Sequence, residues 1–327
     1  MADKAVGLPA SDGAEGLAAR YRSGVTPFEF GLVLASAALH ACWSVWIKES
    51  RDPVAFNFLQ MLPGALIALG LLLAVPSLRI DDAGFWRWVC AGGVCHGLYM
   101  YWMGRALRVA DLSIVYPIAR STPALLPFIA VPLLGEQISL LGGAGIATVV
   151  GGMWLVQTGG RLSIAAFAVP GAAFAVLTLL ATVGYGITDK AAMLALDQAS
   201  QTGWSAPLPR SIFYFLLTAL GGLLGMLPGL ALEVTRKRRA ALQLSAEALR
   251  SELPRALLAF AVSLSGYSLI LEALRTAQTS YVVAVRQSSV LFAVALGILW
   301  LGERPGRVRI IGACVIAVGV SLLGFAQ

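Results

Sequence analysis

Charged residues are scarce in this chain: only 13% of its 327 residues are Asp, Glu, Lys or Arg, whereas 58% are hydrophobic. Soluble globular proteins carry roughly 25% charged residues, so this shortage excludes an ordinary soluble domain. The charges that are present sum to +7, an excess typical of basic loops that face anionic lipid. We therefore interpret the chain as an integral membrane protein with the lipid bilayer as a partner, and we expect no nucleic-acid partner.

The sequence also lacks the motifs of common enzymes and metal sites. It contains no His-Glu-x-x-His, no Gly-x-Ser-x-Gly and no phosphate-cradling glycine loop. Its four cysteines lie in apolar segments, and Cys90 and Cys95 are not spaced like zinc ligands. We therefore expect no catalytic residues, no metal and no cofactor, and we interpret the protein as a non-enzyme.

Long apolar runs begin only after residue 27. The first 26 residues are rich in Ala, Gly and Asp, which argues against a cleaved signal peptide and predicts a disordered tail over 1–27. A membrane-spanning helix needs about 20 mostly apolar residues, and ten later segments meet this requirement. They are 28–47, 54–76, 86–104, 112–133, 139–157, 164–187, 211–232, 255–273, 278–301 and 307–325. Apolar runs without alternation exclude a β-barrel, so we predict an all-α integral membrane protein with ten transmembrane helices.

The second half of the chain repeats the first. An offset of 167 residues superposes the Ala-Leu-Arg at Ala106 on that at Ala273, and the Leu-Gly-Glu at 134–136 on that at 301–303. Self-similarity at a fixed offset indicates a duplicated structural unit.

The first and sixth spans also resemble each other, because residues 43–48 match residues 185–190 at an offset of 142. We therefore predict two five-helix repeats, over 28–160 and 161–327. Because five spans is an odd number, the two copies are expected to be inverted in the membrane, which is typical of secondary transporters.

The aromatic-rich first span that ends in Lys48, the five-span duplication and the paired Leu-Gly-Glu segments resemble the drug/metabolite transporter (DMT) superfamily, EamA type. The resemblance covers about residues 28–325 and implies a secondary carrier, usually an exporter, in the plasma membrane. It also implies a central cavity lined by the first, third, fourth, sixth, eighth and ninth spans, with cytoplasmic termini. The basic residues at 236–239 and 304–309 favour the opposite orientation by the positive-inside rule.

Two arginines, Arg120 and Arg286, lie deep within the fourth and ninth spans. A charge at mid-bilayer costs at least about 2.5–3.5 kcal/mol, so such residues usually face the bundle interior or a wet cavity. Under the repeat Arg120 matches Gln287, so the arginines share a depth but not a register. Two guanidiniums at this depth favour a bidentate anion site. The alternative is that each pairs with helix carbonyls or an acid and stabilises the bundle.

Polar and aromatic side chains at nearby positions complete the candidate substrate site. The full set is Arg120, Arg286, Tyr116, His40, Trp43, Gln287, Tyr185 and Tyr99. Proton coupling has two candidates: His40, because histidine titrates near physiological pH, and Glu272, an acid within the eighth hydrophobic run. Packing, or a salt bridge for Glu272, is the alternative in each case. Lys48 and Lys190 end paired spans, and we expect them to reach towards the headgroups.

Taken together, these features predict a secondary transporter, and more specifically an exporter, of a small anionic or zwitterionic metabolite. The expected mechanism is alternating access between two inverted halves. Two other functions stay open: a flippase for a lipid-linked intermediate, and a membrane-embedded enzyme.

Overall fold

The computed structural model describes residues 24–78, 80–110, 112–160, 171–201, 208–236, 246–299 and 305–326. Every regular element within those ranges is helical. The helices are α1 Pro27–Glu49, α2 Pro53–Ala74, α3 Ala83–Val109, α4 Leu112–Ala119, α5 Thr122–Leu134, α6 Leu140–Thr158, α7 Ala172–Gln201, α8 Arg210–Arg236, α9 Ala246–Thr276, α10 Thr279–Arg286, α11 Ser289–Leu299 and α12 Arg307–Phe325, with a 3₁₀ turn at Pro76–Leu78. The tail predicted over 1–27 lies outside the described residues as far as residue 23.

Eight stretches within the described ranges are long and apolar enough to cross a membrane. They are Pro53–Ala74, Val115–Leu134, Leu140–Thr158, Ala172–Gln201, Arg210–Leu232, Ser251–Leu274, Thr279–Leu299 and Arg307–Phe325. The apolar part of α1, Pro27–Ala41, is shorter. α3 has 27 residues, and Arg87, His96, Arg105 and Arg108 interrupt its apolar sequence. The chain is therefore a multi-pass helical membrane protein.

The connection between α1 and α2 is fixed by residues suited to helix starts. Asp52 caps α2, because its Oδ1 accepts hydrogen bonds from the N–H groups of Val54 and Ala55, at 2.9 and 3.1 Å. The same carboxylate accepts hydrogen bonds from Arg108 at the end of α3, with Nη2 2.6 Å from Oδ2. One acidic residue thus holds the start of α2 against the end of α3.

Contacts between the two halves occur in reciprocal sets. α1 packs along α9, while α7, the repeat counterpart of α1, packs along α3, the counterpart of α9. α2 packs against its own counterpart α8, and α6 packs against α12. Two copies of one unit give this pattern when they pack about a two-fold axis. A site between the halves therefore lies at the centre of the molecule.

Glycines bring α6 and α12 into backbone contact. A Cβ at Gly152 would lie 2.8 Å from the carbonyl oxygen of Gly312, and a Cβ at Gly319 would lie 3.0 Å from that of Gly145. Residues later in α6 meet residues earlier in α12, so these two counterpart helices are antiparallel. Gly145 and Gly152 thus form a small-residue face that lets the two helices approach closely, whereas a Cβ at Gly151 would meet nothing within 4 Å.

Candidate functional site

The predicted fourth and ninth spans, 112–133 and 278–301, are each broken into two helices. The breaks fall at Arg120–Ser121, between α4 and α5, and at Gln287–Ser288, between α10 and α11. The 167-residue offset of the repeat relates the two breaks. Pro123 has no N–H to donate back across the first break, whereas the second break contains no proline. Each break places a helix N-terminus and a helix C-terminus inside the bundle.

Two neighbouring cavities lie between the halves. The first, here called the aromatic cavity, has an empty volume of about 760 Å³ including the part open to solvent. It is lined by Ser36, Leu39, His40, Trp43, Gln60, Met61, His96, Tyr99, Met100, Tyr185, Phe215, Thr218, Ala219, Phe260, Val262, Ser263, Gly266, Tyr267 and Arg286.

The second, here called the arginine cavity, has an empty volume of about 660 Å³ on the same measure. It is lined by His40, Trp43, Ile47, Tyr99, Met103, Tyr116, Ala119, Arg120, Thr122, Thr182, Tyr185, Val283, Arg286, Gln287 and Ser289.

The arginine cavity brings together all eight residues that the sequence predicted as substrate-binding. These are Arg120, Arg286, Tyr116, His40, Trp43, Gln287, Tyr185 and Tyr99. They come from α1, α3, α4, α7 and α10 and from the two helix breaks, and α9 adds Tyr267 to the aromatic cavity. Neither cavity is lined by a described residue of α6 or α12. The positions are those expected of a central site, while substrate binding by these residues stays a prediction.

Arg120 connects the two halves across the arginine cavity. Its Nη1 donates to the hydroxyl of Ser289, the first residue of α11, at 3.3 Å. Its Nη2 lies 3.4 Å from Nε2 of His40, which accepts in this arrangement. The guanidinium lies 4.6 Å from the ring centroid of Tyr116, a cation–π distance. The ring face of Tyr116, one helical turn before Arg120, therefore supports the guanidinium.

Arg286 has fewer partners. Its guanidinium lies 5.1 Å from the ring centroid of Tyr267, and no carboxylate of the described residues lies within salt-bridge distance of it. Its Nε is buried and has no hydrogen-bond partner among the described residues. A buried donor without an acceptor costs about 1–3 kcal/mol, and more when it is charged. Arg286 is therefore a cation with one buried donor, Nε, that the described part of the protein leaves unused, while Tyr185 hydrogen-bonds to the same guanidinium.

The side chains of His40 and Trp43, which line both cavities, are held in place by a chain of hydrogen bonds to α2. The rings of His40 and Trp43 stack with centroids 5.0 Å apart. Nε1 of Trp43 donates to Oε1 of Gln60 at 2.7 Å, and Nε2 of Gln60 donates to Oδ1 of Asn57 at 2.8 Å. Because Gln60 and Asn57 lie on α2, these two hydrogen bonds fix the orientation of the Trp43 ring, and stacking on Trp43 orients His40.

Glu272, the second proton-coupling candidate, lines neither cavity. Its carboxylate pairs with Arg275, one turn later on α9. Arg275 also donates to Asp197 on α7 at 3.0 Å, and Asp197 pairs with Arg210 at 2.5 Å. The structure thus places Glu272 in an ion-pair network at the ends of α7, α8 and α9, which was the alternative interpretation of this residue.

The turn between α9 and α10 is held from two sides. Glu136 is buried and accepts hydrogen bonds from the N–H of Thr279 at 2.5 Å and from the N–H and hydroxyl of Ser280 at 3.2 and 2.5 Å.

The expectation that Lys190 reaches the headgroups is wrong, because it is fully buried and its Nζ donates to the carbonyl oxygens of Leu274 and Ala277 at 2.6 and 2.9 Å. The side chain of Lys48 lies outside the described residues, as does the second Leu-Gly-Glu at 301–303.

Sequence reasoning missed a buried carboxylate beside the aromatic cavity. Asp189 on α7 is 0% exposed and accepts hydrogen bonds from His96, Tyr214 and Tyr267. The sixth span was predicted to end at residue 187, before Asp189, because an Asp-Lys pair after an apolar run is typical of a membrane surface. The signal that could have found it is His96, a second titratable residue inside an apolar run.

Comparisons with known proteins agree with this architecture. A family model described as the EamA-like transporter family matches residues 28–158 and again residues 170–325. A solved structure titled "Crystal structure of protein" has a TM-score of 0.65 and 16% sequence identity, and the match covers 91% of this chain and 98% of that chain. At that identity the likeness concerns the fold alone. No curated protein matches the sequence.

Proposed function

Because this chain belongs to the EamA-like transporter family, within the drug/metabolite transporter superfamily, we propose that it exports a small anionic or zwitterionic metabolite by alternating access. The family consists of transporters rather than enzymes. The observation that carries the substrate class is Arg286, a buried cation in a cavity wall with an unused Nε donor. An anionic group from the substrate supplies the acceptor that the described residues do not.

Helix ends in the arginine cavity favour the same ligand charge. Thr122 and Ser289, the first residues of α5 and α11, both line this cavity. The N-terminus of a helix carries a partial positive charge and free N–H groups, and broken helices in transporters present such ends to anionic substrate groups. Arg120, Arg286 and two helix N-termini therefore surround one space that suits a carboxylate or a phosphate.

The mechanism that we propose uses ten spans arranged as two inverted halves. The antiparallel packing of α6 on α12 supports inversion, because these helices are counterparts in the repeat. The reciprocal packing of α1 on α9 and of α7 on α3 supplies equivalent interfaces on the two sides of the site. Rocking of one half against the other exposes the cavity first to one side of the membrane and then to the other.

We place the protein in the plasma membrane with both termini in the cytoplasm. The family resemblance supports this orientation, whereas Arg307 and Arg309 at the start of α12 support the reverse by the positive-inside rule. A reporter fused to the C-terminus distinguishes the two: alkaline phosphatase is active only outside the cytoplasm and green fluorescent protein only inside.

The test of the substrate class is counterflow into proteoliposomes with radiolabelled glutamate, succinate, glycerol phosphate and threonine. Arg286→Gln is expected to raise KM for the transported compound by about tenfold or more, since a hydrogen bond to a charged group contributes about 1.5–3 kcal/mol. Arg120→Gln is expected to act in the same direction. The matched control is Arg307→Gln, which replaces an exposed arginine outside both cavities.

Two results would overturn this proposal. If both cavity variants transport with the wild-type KM, the arginines are structural and the anion site is wrong. If the protein moves a fluorescent phospholipid headgroup across the bilayer and none of the four solutes, it is a flippase instead.

A further inference from the structure

Asp189 is a carboxylate held by side chains from three other helices. His96 Nε2 on α3 lies 3.1 Å from Oδ2, the hydroxyl of Tyr214 on α8 donates to Oδ1 at 2.9 Å, and the hydroxyl of Tyr267 on α9 donates to Oδ2 at 2.5 Å. Asp189 is 0% exposed, and no Lys or Arg of the described residues lies within salt-bridge distance of it. Within the described ranges, the one partner of Asp189 that can carry a full positive charge is therefore His96.

This pairing differs from an ordinary buried ion pair. A carboxylate paired with Arg or Lys keeps the same charge state across the physiological range, whereas an imidazole gains or loses a proton within it. Two interacting groups of this kind take up and release protons as a unit. A structural network of this size has no need of a titratable member, because an amide and two hydroxyls also satisfy a buried carboxylate.

The pair has a path to water through one of its members. His96 is 8% exposed and lines the aromatic cavity, as Tyr267 does, whereas Asp189 lies behind them. The imidazole ring stacks on Tyr185, with centroids 4.3 Å apart, and is thereby fixed between the cavity and the carboxylate. A proton from the cavity reaches the imidazole first.

Tyr267 connects the pair to the proposed anion site. Its hydroxyl donates to Asp189, and its ring lies 5.1 Å from the guanidinium of Arg286. A single side chain therefore contacts both the buried Asp189 carboxylate and the guanidinium whose Nε lacks an acceptor among the described residues. A displacement of the Tyr267 ring when an anion binds to Arg286 alters its hydrogen bond to Asp189.

We propose that Asp189 and His96 form the coupling site at which one proton is bound and carried together with the anionic substrate. This inference rests on the proposed transport function. The pair takes one proton from the cavity, holds it as an imidazolium beside a carboxylate or as an imidazole beside a carboxylic acid, and releases the same proton on the other side. Proton and anion carry opposite charges, so each raises the affinity for the other, as linkage requires.

The direction in which the proton moves follows from the opposite charges of the proton and the anionic substrate. A carrier that moves an anion with one proton is driven by the combined gradients of the two, and a metabolite that accumulates in the cell drives the proton outward with it. The groups that face Asp189 are His96 and Cys95 on α3, Tyr185 on α7, Tyr214 on α8, Tyr267 on α9 and, beyond Tyr267, Arg286 on α10. Of these side chains, imidazole is the one whose ordinary titration lies nearest neutral pH.

The proton site is tested without any substrate by infrared difference spectroscopy of the purified protein between about pH 5 and about pH 8, the interval over which imidazole changes charge. The wild type is expected to show histidine ring bands and a carboxyl band that change together with pH. Asp189→Asn is expected to lose the carboxyl change and to shift the midpoint of the histidine change. The matched control, Asp197→Asn, removes a carboxylate on the same helix that is ion-paired outside the cavities, and it is expected to leave both signals unchanged.

Coupling is tested in proteoliposomes with the solute that shows the fastest wild-type counterflow. An imposed pH gradient is expected to drive its accumulation in the wild type and in Asp197→Asn. In Asp189→Asn the gradient-driven accumulation is expected to fall about tenfold or more, within the size range of such coupling energies, and the rate of counterflow no longer changes with pH. Tyr267→Phe keeps the ring and the carboxylate, so it tests coupling even if Asp189→Asn does not fold, and it is expected to weaken the pH dependence of KM.

The outcomes separate the two proposals. If the spectra of wild type and Asp189→Asn change identically with pH, or if Asp189→Asn and Tyr267→Phe both retain gradient-driven accumulation, the coupling site is wrong although the transport function stands. If none of the four solutes shows counterflow in the wild type, the proposed substrate class fails while the spectra still decide whether the pair binds a proton. Accumulation driven by a sodium gradient instead of a pH gradient would also overturn the proton assignment.

Discussion

The contact between Glu136 and α10 leads to a sharp prediction of stability. Glu136 is only 3% exposed, and its carboxylate accepts from two backbone N–H groups at the start of α10 and from one hydroxyl. Glu136→Ala leaves these three donors without that acceptor. A buried donor left unpaired costs about 1–3 kcal/mol, and the desolvation cost of the carboxylate, which the variant no longer carries, offsets part of the loss. We expect a net loss of about 3 kcal/mol in the free energy of unfolding.

The assay is the thermal unfolding midpoint of the detergent-solubilised protein, followed by tryptophan fluorescence. A loss of about 3 kcal/mol corresponds to a fall of roughly 5 °C in the midpoint for a chain of this size. Glu136→Gln keeps one acceptor oxygen, so its midpoint is expected to lie between those of the wild type and Glu136→Ala. Gln137→Ala changes an exposed neighbour and serves as the control, with a change within about 0.5 kcal/mol.

Equal unfolding temperatures for Glu136→Ala and Gln137→Ala would refute this role of the Glu136 carboxylate. In that case the carboxylate contributes nothing that solvent or neighbouring groups do not replace, and the start of α10 needs no cap from the first half. If the midpoint of Glu136→Gln lies below that of Glu136→Ala, the buried amide N–H groups of the glutamine destabilise the protein more than the loss of the acceptor does.

Two further predictions concern packing and the buried lysine. Gly152→Leu is expected to separate α6 from α12 and to lower the unfolding midpoint by several degrees, since overpacking costs about 1–3 kcal/mol, whereas Gly151→Leu has open space and is expected to change it little. Equal midpoints for the two leucine variants would contradict direct helix contact at Gly152. Lys190→Met leaves the carbonyl oxygens of Leu274 and Ala277 without their buried donor, and we expect a loss of about 1–3 kcal/mol in the same assay, with an unchanged midpoint as the contrary result.

The position of the candidate cavity could be predicted from the sequence because few places in a membrane protein tolerate a guanidinium. Arg120 and Arg286 had to face the interior, and the 167-residue repeat placed them in counterpart spans. Residues on the same helical face, such as Tyr116, then followed from helix geometry. These inferences use local periodicity and one long-range symmetry, and both are readable in the sequence.

Asp189 and Lys190 could not be placed in this way. Charges after an apolar run usually mark the membrane surface, yet α7 continues through both residues to Gln201. The helix continues because the carboxylate has three donors and the ammonium two acceptors, all of which come from outside α7. The partners His96 and Tyr267 are 93 and 78 residues away from Asp189 in the chain, so no local pattern indicates them.

The helix breaks were missed for a related reason. The apolar runs across Arg120 and Gln287 are continuous in composition, and only the flanking prolines, Pro117 and Pro123, favour a kink in the first copy. The second break contains no proline, so no residue type marks it in the sequence, and the structure places it at the position equivalent to the first. A hydropathy profile reports the length of a membrane crossing and not the continuity of its hydrogen bonds.

The mismatch in register between the two arginines has a consequence for kinetics. If the halves were identical, exchanging their conformations would convert the inward-facing carrier into an outward-facing form related to it by the two-fold axis, and the two forms would have equal energy. At the paired breaks, however, Arg120 corresponds to Gln287 under the repeat, and Arg286 corresponds to Ala119. The two forms therefore differ in free energy. We expect the carrier to bind its substrate with different half-saturation concentrations on the two sides of the membrane.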